Sequence, residues 1–151
     1  MTEIVGERSY QHVWSAFSAK PWAILPAKLH AIQEVVMLRI MGQRFTDDEL
    51  EERIGPDVER IAARRGQKTP AARAVAVIPV YGTIMPRAGA FQAMSGGTSA
   101  EQLIEAINSA KDDQSVTSIL MDVDSPGGQT DLIPEAATAI RNARAEKPVV
   151  A

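Results

Sequence analysis

One stretch constrains the fold more than any other: ILMDVDSPGGQTDLIPEAA, Ile119 to Ala137, where an apolar run stops at Asp124-Ser125-Pro126-Gly127-Gly128 and a helical pattern follows at once. The preceding run, SVTSILMDV, is nearly continuous in its hydrophobicity, which is the signature of a strand that a parallel sheet buries on both faces. Two adjacent glycines at its end clear side chains away, so backbone N–H groups can converge there, and the following helix adds its positive end. That geometry suits an anion or a developing oxyanion. A tight strand-to-helix turn with no ligand explains the same residues. The dinucleotide pattern G-x-G-x-x-G and the phosphate loop G-x-x-x-x-G-K both fail here, so neither route to phosphate is supported.

The rest of the chain falls into two zones around RRGQKTPAAR, Arg64 to Arg73, a polar and basic stretch with Gly66 and Pro70 that reads as a linker. The expected division is therefore 1–70 and 71–151. Before the linker, Pro26 opens a helix whose apolar face holds Leu29, Ile32, Val35, Val36, Leu38 and Ile40, and Gly42 supplies the stop. Thr46 with Glu49 is a capping box for a short helix through about Arg53, ended by Gly55-Pro56, and a charged helix is expected over 57–65. After the linker, AVAVIPVYGTI reads as a strand, with Pro79 favouring an edge or strand-end position and Gly82 a turn or bulge. Thr98 with Glu101 forms a second capping box before Leu103, Ile104, Ile107 and Ala110, and IPEAATAIRNARAEK and PVVA read as a further helix and strand. Strand, helix, strand, helix, strand predicts an α/β fold with parallel crossovers, preceded by an α-helical extension.

Composition narrows the chemistry. The 151 residues carry a formal net charge of −3, which gives no general attraction to nucleic acid or anionic membrane. With no cysteine there is no disulfide and no thiolate nucleophile. The first residues lack a secretory signal pattern, and no apolar stretch approaches the roughly 18 residues of a membrane span.

The order AVIPVYGTI, SGGTSAEQLIEAINSA, ILMDVDSPGG, a helix and then KPVVA resembles the core of the signal peptide peptidase A family, serine peptidases of the ClpP/crotonase superfamily. The segment PWAILPAKLHAIQEVVMLRIMGQRFTDDELEERIG resembles the helical N-terminal extension of its bacteriophage and prophage members, head-maturation proteases that process capsid and scaffold proteins. The resemblance implies a partial ClpP/crotonase-like parallel sheet and a serine endopeptidase without metal or organic cofactor. It also implies a protein or peptide substrate, homo-oligomeric assembly, and residence in the bacterial host cytoplasm or the phage procapsid. It assigns the oxyanion-hole backbone to Gly127 and Gly128, and places Ser125, Pro126, Gln129 and Thr130 around the bound peptide.

In that family the nucleophilic serine follows the strand that KPVVA begins and the lysine base comes tens of residues later, so both are expected beyond Ala151. Ser125 is then a turn residue, and no S-x-x-K or G-x-S-x-G occurs to replace the pair. The chain, whose last strand looks unfinished, is expected to be a truncated product carrying half an active site. A crotonase-type acyl-CoA enzyme and a non-catalytic scaffold-binding part of a phage head are the competing classes. Among other groups, Asp122 and Asp124 share a strand face and fit hydrogen bonding better than a cation. His12 and His30 lack a partner motif, and Trp14, Phe17 and Trp22 suit docking a partner or covering the sheet equally.

Overall fold

The computed structural model describes residues 14–15, 17–54, 74–88 and 97–151. In chain order these form β1 (Trp22–Ile24), α1 (Pro26–Ile40), α2 (Asp47–Ile54), β2 (Ala74–Tyr81), β3 (Ile84–Met85) and β4 (Thr98–Ser99), then α3 (Ala100–Asp112), β5 (Val116–Asp124), β6 (Gly127–Gln129), α4 (Ile133–Glu146) and β7 (Val149–Val150). The protein is a mixed α/β fold. The boundary expected at 70/71, the helix expected over 57–65 and His12 lie outside the described residues.

A parallel sheet in the order β2-β5-β7 carries the main core. β2 runs beside β5 from Ala74↔Val116 to Tyr81↔Asp124, and β7 joins at Ile119↔Val149 and Leu120↔Val150. Pro79 sits on β2, which is an edge strand among the described residues and so tolerates a residue without an N–H. One face of this sheet presents Ile78, Val80 and Ile119 to Leu103, Ile107 and Ala110 of α3 and to Ala139 and Ala143 of α4. Burying an isoleucine such as Ile107 or Ile119 stabilises by about 1.5–3 kcal/mol.

The expectation that β5 is covered on both faces is corrected. α3 and α4 pack side by side on one face, so among the described residues Val77 (56 % exposed) and Leu120 (40 % exposed) remain open on the other. Lys147, just past α4, locks the two helices together. Its ammonium donates to the Ala110 carbonyl (2.8 Å) and to that of Asp113, satisfying the electron-rich end of α3.

The helical zone has its own core, Ile32, Val35, Val36 and Leu50, flanked by Phe17, Trp22, Ile24, Ile40 and Phe45. α1 starts with Pro26 as expected and ends in a Schellman motif: Gly42 takes φ +86°, its N–H bonds Arg39 O (3.0 Å), and Gln43 N–H bonds Leu38 O (3.0 Å). The Thr46–Glu49 box forms, with Thr46 N–H on the Glu49 carboxylate (2.9 Å) and Glu49 N–H on the Thr46 hydroxyl (3.3 Å). The second box shifts by one residue. Ser99, not Thr98, caps α3 through Gln102 N–H (3.3 Å), because the Thr98 hydroxyl is engaged with the backbone N–H (2.9 Å) and carbonyl (2.8 Å) of Tyr81.

Candidate functional site at the glycine strand

β5 ends where the two sheets meet. Gly82, at φ +63°, turns the chain out of β2 and its N–H bonds Asp124 O (2.9 Å). Ser125 then ties the two turns together: its hydroxyl donates to Gly82 O (2.6 Å) and accepts from Gly127 N–H (3.2 Å). A hydroxyl committed on both sides locks backbone. Beside it Thr83 is 1 % exposed, and its hydroxyl has no hydrogen-bond partner among the described residues. Tyr81 donates its phenol O–H to the Asp122 carboxylate.

The glycine pair does not lead straight into a helix. Gly127, Gly128 and Gln129 form β6, and α4 begins only at Ile133, capped by Leu132 in a left-handed conformation (φ 64°) without a side-chain bond. The helix end therefore does not meet the glycines, which corrects the strand-to-helix picture. β6 lies between β1, antiparallel, and β3, parallel, in a second sheet of order β1-β6-β3-β4.

That position explains both glycines. A Cβ on Gly127 would lie 2.1 Å from Ala23 O, and one on Gly128 would lie 1.9 Å from Ile84 O, so backbone closes on each residue from a different side. Gly127 also needs its φ of +106°, a region that side chains strongly disfavour.

β1 was not foreseen, since Trp22-Ala23-Ile24 is too short for a period and its partner lies over a hundred residues away. Its register pairs Trp22 with Gln129, Ala23 with Gly128 and Ile24 with Gly127. Leu25 N–H bonds Pro126 O (2.9 Å) and Thr130 N–H bonds Pro21 O (3.2 Å). The two-residue alternation of an antiparallel ladder makes Ala23 and Gly128 the mutually bonded pair between them, so the Gly128 N–H faces a peptide carbonyl, that of Ala23.

Beside β6 opens a cleft of about 1030 Å³. Its walls include Phe17, Trp22, Met85 and Leu132, with Gln129 and Thr130 at its edge, and Lys20, paired to Asp131, spans from the helical zone to the lead-in of α4. Gln129 is only 7 % exposed. The structure thus gathers Ser125, Pro126, Gly127, Gly128, Gln129 and Thr130 at one strand and one cleft. Phe17 and Trp22 pack on each other (centroids 5.0 Å apart) and against the helical core, so they cover that core and line the cleft.

His30 is exposed and apart from this region. Burial lowers the pKa of Lys28, on the first turn of α1. Among the described residues no three His, Asp or Glu side chains converge as a cation cage, and no helix is long and apolar enough to cross a membrane.

The sequence is similar to parts of two phage proteins. Over 75 residues, half of this chain, the sequence is 39 % identical to "Capsid assembly protease C" of Escherichia phage lambda. Over a stretch of the same length it is 37 % identical to "Head-tail preconnector protein GP5" of Enterobacteria phage P21. The matches cover 17 % and 15 % of those two proteins, so they concern a small part of each. No family model matches the chain.

Proposed function

We propose that the chain is part of a phage capsid maturation protease, a serine endopeptidase of the signal peptide peptidase A type. The observation that carries this reading is the similarity, over half the chain, to a protein named as a capsid assembly protease. The geometry supports it chemically. Gly127 and Gly128 place backbone N–H groups just past the carboxyl end of β5, where the carbonyl of a substrate would take them over from Ser125 Oγ and from the Ala23 carbonyl, and one such donor contributes about 2.7–4 kcal/mol to a tetrahedral transition state. Pro126, Gln129 and Thr130 would flank the peptide, and Ser125 would hold the turn. The attacking serine and its lysine base would come from elsewhere in the protease, since the Ser125 hydroxyl is engaged with Gly82 and Gly127.

In this proposal residues 1–70 are a helical extension and 71–151 the beginning of the ClpP/crotonase-like peptidase domain. The substrate is capsid or scaffold protein, the assembly is homo-oligomeric, and the reaction takes place in the host cytoplasm or procapsid without a metal. A structural, non-catalytic role in the head is the second reading, favoured by the name of the P21 relative, a head-tail preconnector.

The test is co-expression of the complete reading frame that contains this chain with the scaffold and capsid proteins of the same phage, followed by intact-mass analysis. Cleavage that a serine-directed fluorophosphonate blocks is expected. Uncleaved partners that co-purify with the chain would replace the protease reading by the structural one.

A further inference from the structure

We infer that β1 is an internal stand-in for an extended peptide: residues Pro21–Leu25 occupy in cis the strand edge of β6 at which the protein takes peptide backbone in trans. The inference rests on the peptidase reading for the nature of the natural occupant, and on the ladder for its geometry.

Four observations carry it. First, the contact is strand addition: a short extended segment pairs antiparallel with β6 and bonds through backbone, the mode by which sheet edges capture peptides. Second, the edge is shaped for backbone and nothing larger, because Ala23 O lies where a Gly127 Cβ would be, at 2.1 Å. Third, the ladder is half-made at both ends. Pro21 and Pro126 have no N–H, so the terminal pairs contribute one bond each, Thr130 N–H to Pro21 O and Leu25 N–H to Pro126 O, and the register leaves Ala23–Gly128 as the pair of this ladder placed to bond in both directions.

Fourth, β1 belongs to the other core. Trp22 and Ile24 pack with Ile32, Val35, Val36 and Leu50, whereas the sheet core of Ile78, Ile107 and Ile119 contains nothing from β1. The helical zone can carry β1 off β6 without opening either core. The Lys20–Asp131 ion pair is exposed and adds little resistance. Lifting β1 frees the Gly128 N–H and carbonyl, so occupancy by β1 and by substrate exclude each other.

The test uses the whole chain and a fluorescein-labelled peptide of its own residues 20–26, Lys-Pro-Trp-Ala-Ile-Leu-Pro, followed by anisotropy. Ala23→Pro removes the central ladder donor and disfavours β1. This variant should bind the peptide at least tenfold more tightly than the wild-type chain, and adding Gly127→Ala should abolish the gain by filling the space of the docked carbonyl. Equal affinity of wild type and Ala23→Pro would overturn the inference, as would loss of helical circular dichroism in Ala23→Pro, since the helical zone that carries β1 should stay folded when β1 leaves β6.

Hydrogen exchange on the wild type is an independent check. The Gly128 and Thr130 amides should exchange at least a hundredfold faster than that of Ile119, which bonds Pro148 O inside the main sheet. Similar rates would mean that β1 leaves only on global unfolding, and the inference would fall. Neither readout needs turnover. Peptide binding without scaffold cleavage would retain the inference and remove the protease reading; cleavage without a binding difference would do the reverse.

Discussion

Gly127→Ala tests how tightly β1 is seated, and a second glycine supplies its control. Gly42 also has positive φ (+86°), yet a Cβ there meets nothing within 4 Å, so Gly42→Ala carries only the conformational cost of an L-residue in that region, about 1–2 kcal/mol. Gly127→Ala carries a similar cost and also places a methyl 2.1 Å from Ala23 O and 2.9 Å from Ile24 Cα, both backbone atoms that cannot rotate away. The clash is relieved by expelling β1. That forfeits the bonds of Leu25 and Thr130 and the two of the Ala23–Gly128 pair, each contributing about 0.5–1.5 kcal/mol net, so the variant should lose about 2–6 kcal/mol more than Gly42→Ala. Urea titration of both variants, followed by Trp fluorescence and far-UV circular dichroism, measures the difference. Agreement between them within about 0.5 kcal/mol would refute the close approach of β1 to β6.

Three further predictions concern the scaffold of the site. Lys147→Ala removes the cation that holds the Ala110 and Asp113 carbonyls at the end of α3 and should cost about 1.5 kcal/mol in urea, whereas Arg144→Ala, exposed on α4, should cost under about 0.5. The Ser115 hydroxyl and backbone N–H donated to Asp113 hold its carboxyl below the ordinary carboxylate range. A depressed folded pKa means that this stabilisation is complete above the unfolded value, about 4, and is lost as pH falls through the folded one. The advantage of wild type over Asp113→Asn should therefore be present at neutral pH and vanish in strong acid, as read from paired urea titrations. Ser125→Ala should destabilise by about 1–2 kcal/mol, since Gly82 O and Gly127 N–H lose a shared partner, and purified chain should cleave no casein with or without it. Turnover abolished by this substitution would make Ser125 the nucleophile.

Where local chemistry decides structure, the sequence was readable. Pro26 and Gly42 bound α1 because one fits a helix start and the other a left-handed cap, and Thr46 with Glu49 specifies the next helix entry. The parallel sheet followed from apolar runs separated by amphipathic helices. What escaped were contacts between distant segments. Ser99 displaces Thr98 as cap because the Thr98 hydroxyl bonds Tyr81, seventeen positions back. Open exposure of Leu120 depends on α3 and α4 choosing the same face.

In the sequence the glycine pair reads as a place of close backbone approach at a helix junction, since two glycines are poor strand formers. Their strand exists because β1 and β3 press on it from opposite sides, and β1 carries too few residues to show a period. The sequence signal for β1 is the pair of prolines, Pro21 and Pro26, which hold Lys20 and Leu25 to extended backbone on either side of Trp22–Ile24.

In the proposed function the backbone of Gly127 and Gly128 receives a scissile carbonyl during capsid maturation. The most direct measurement of this is the initial rate of scaffold cleavage by the complete protease and by its Gly127→Pro form, with folding of both confirmed by circular dichroism. Proline removes the N–H and forbids the +106° φ, so a fall of about a hundredfold or more is expected, the loss of one oxyanion donor. A folded Gly127→Pro protease that cleaves at the wild-type rate would contradict it.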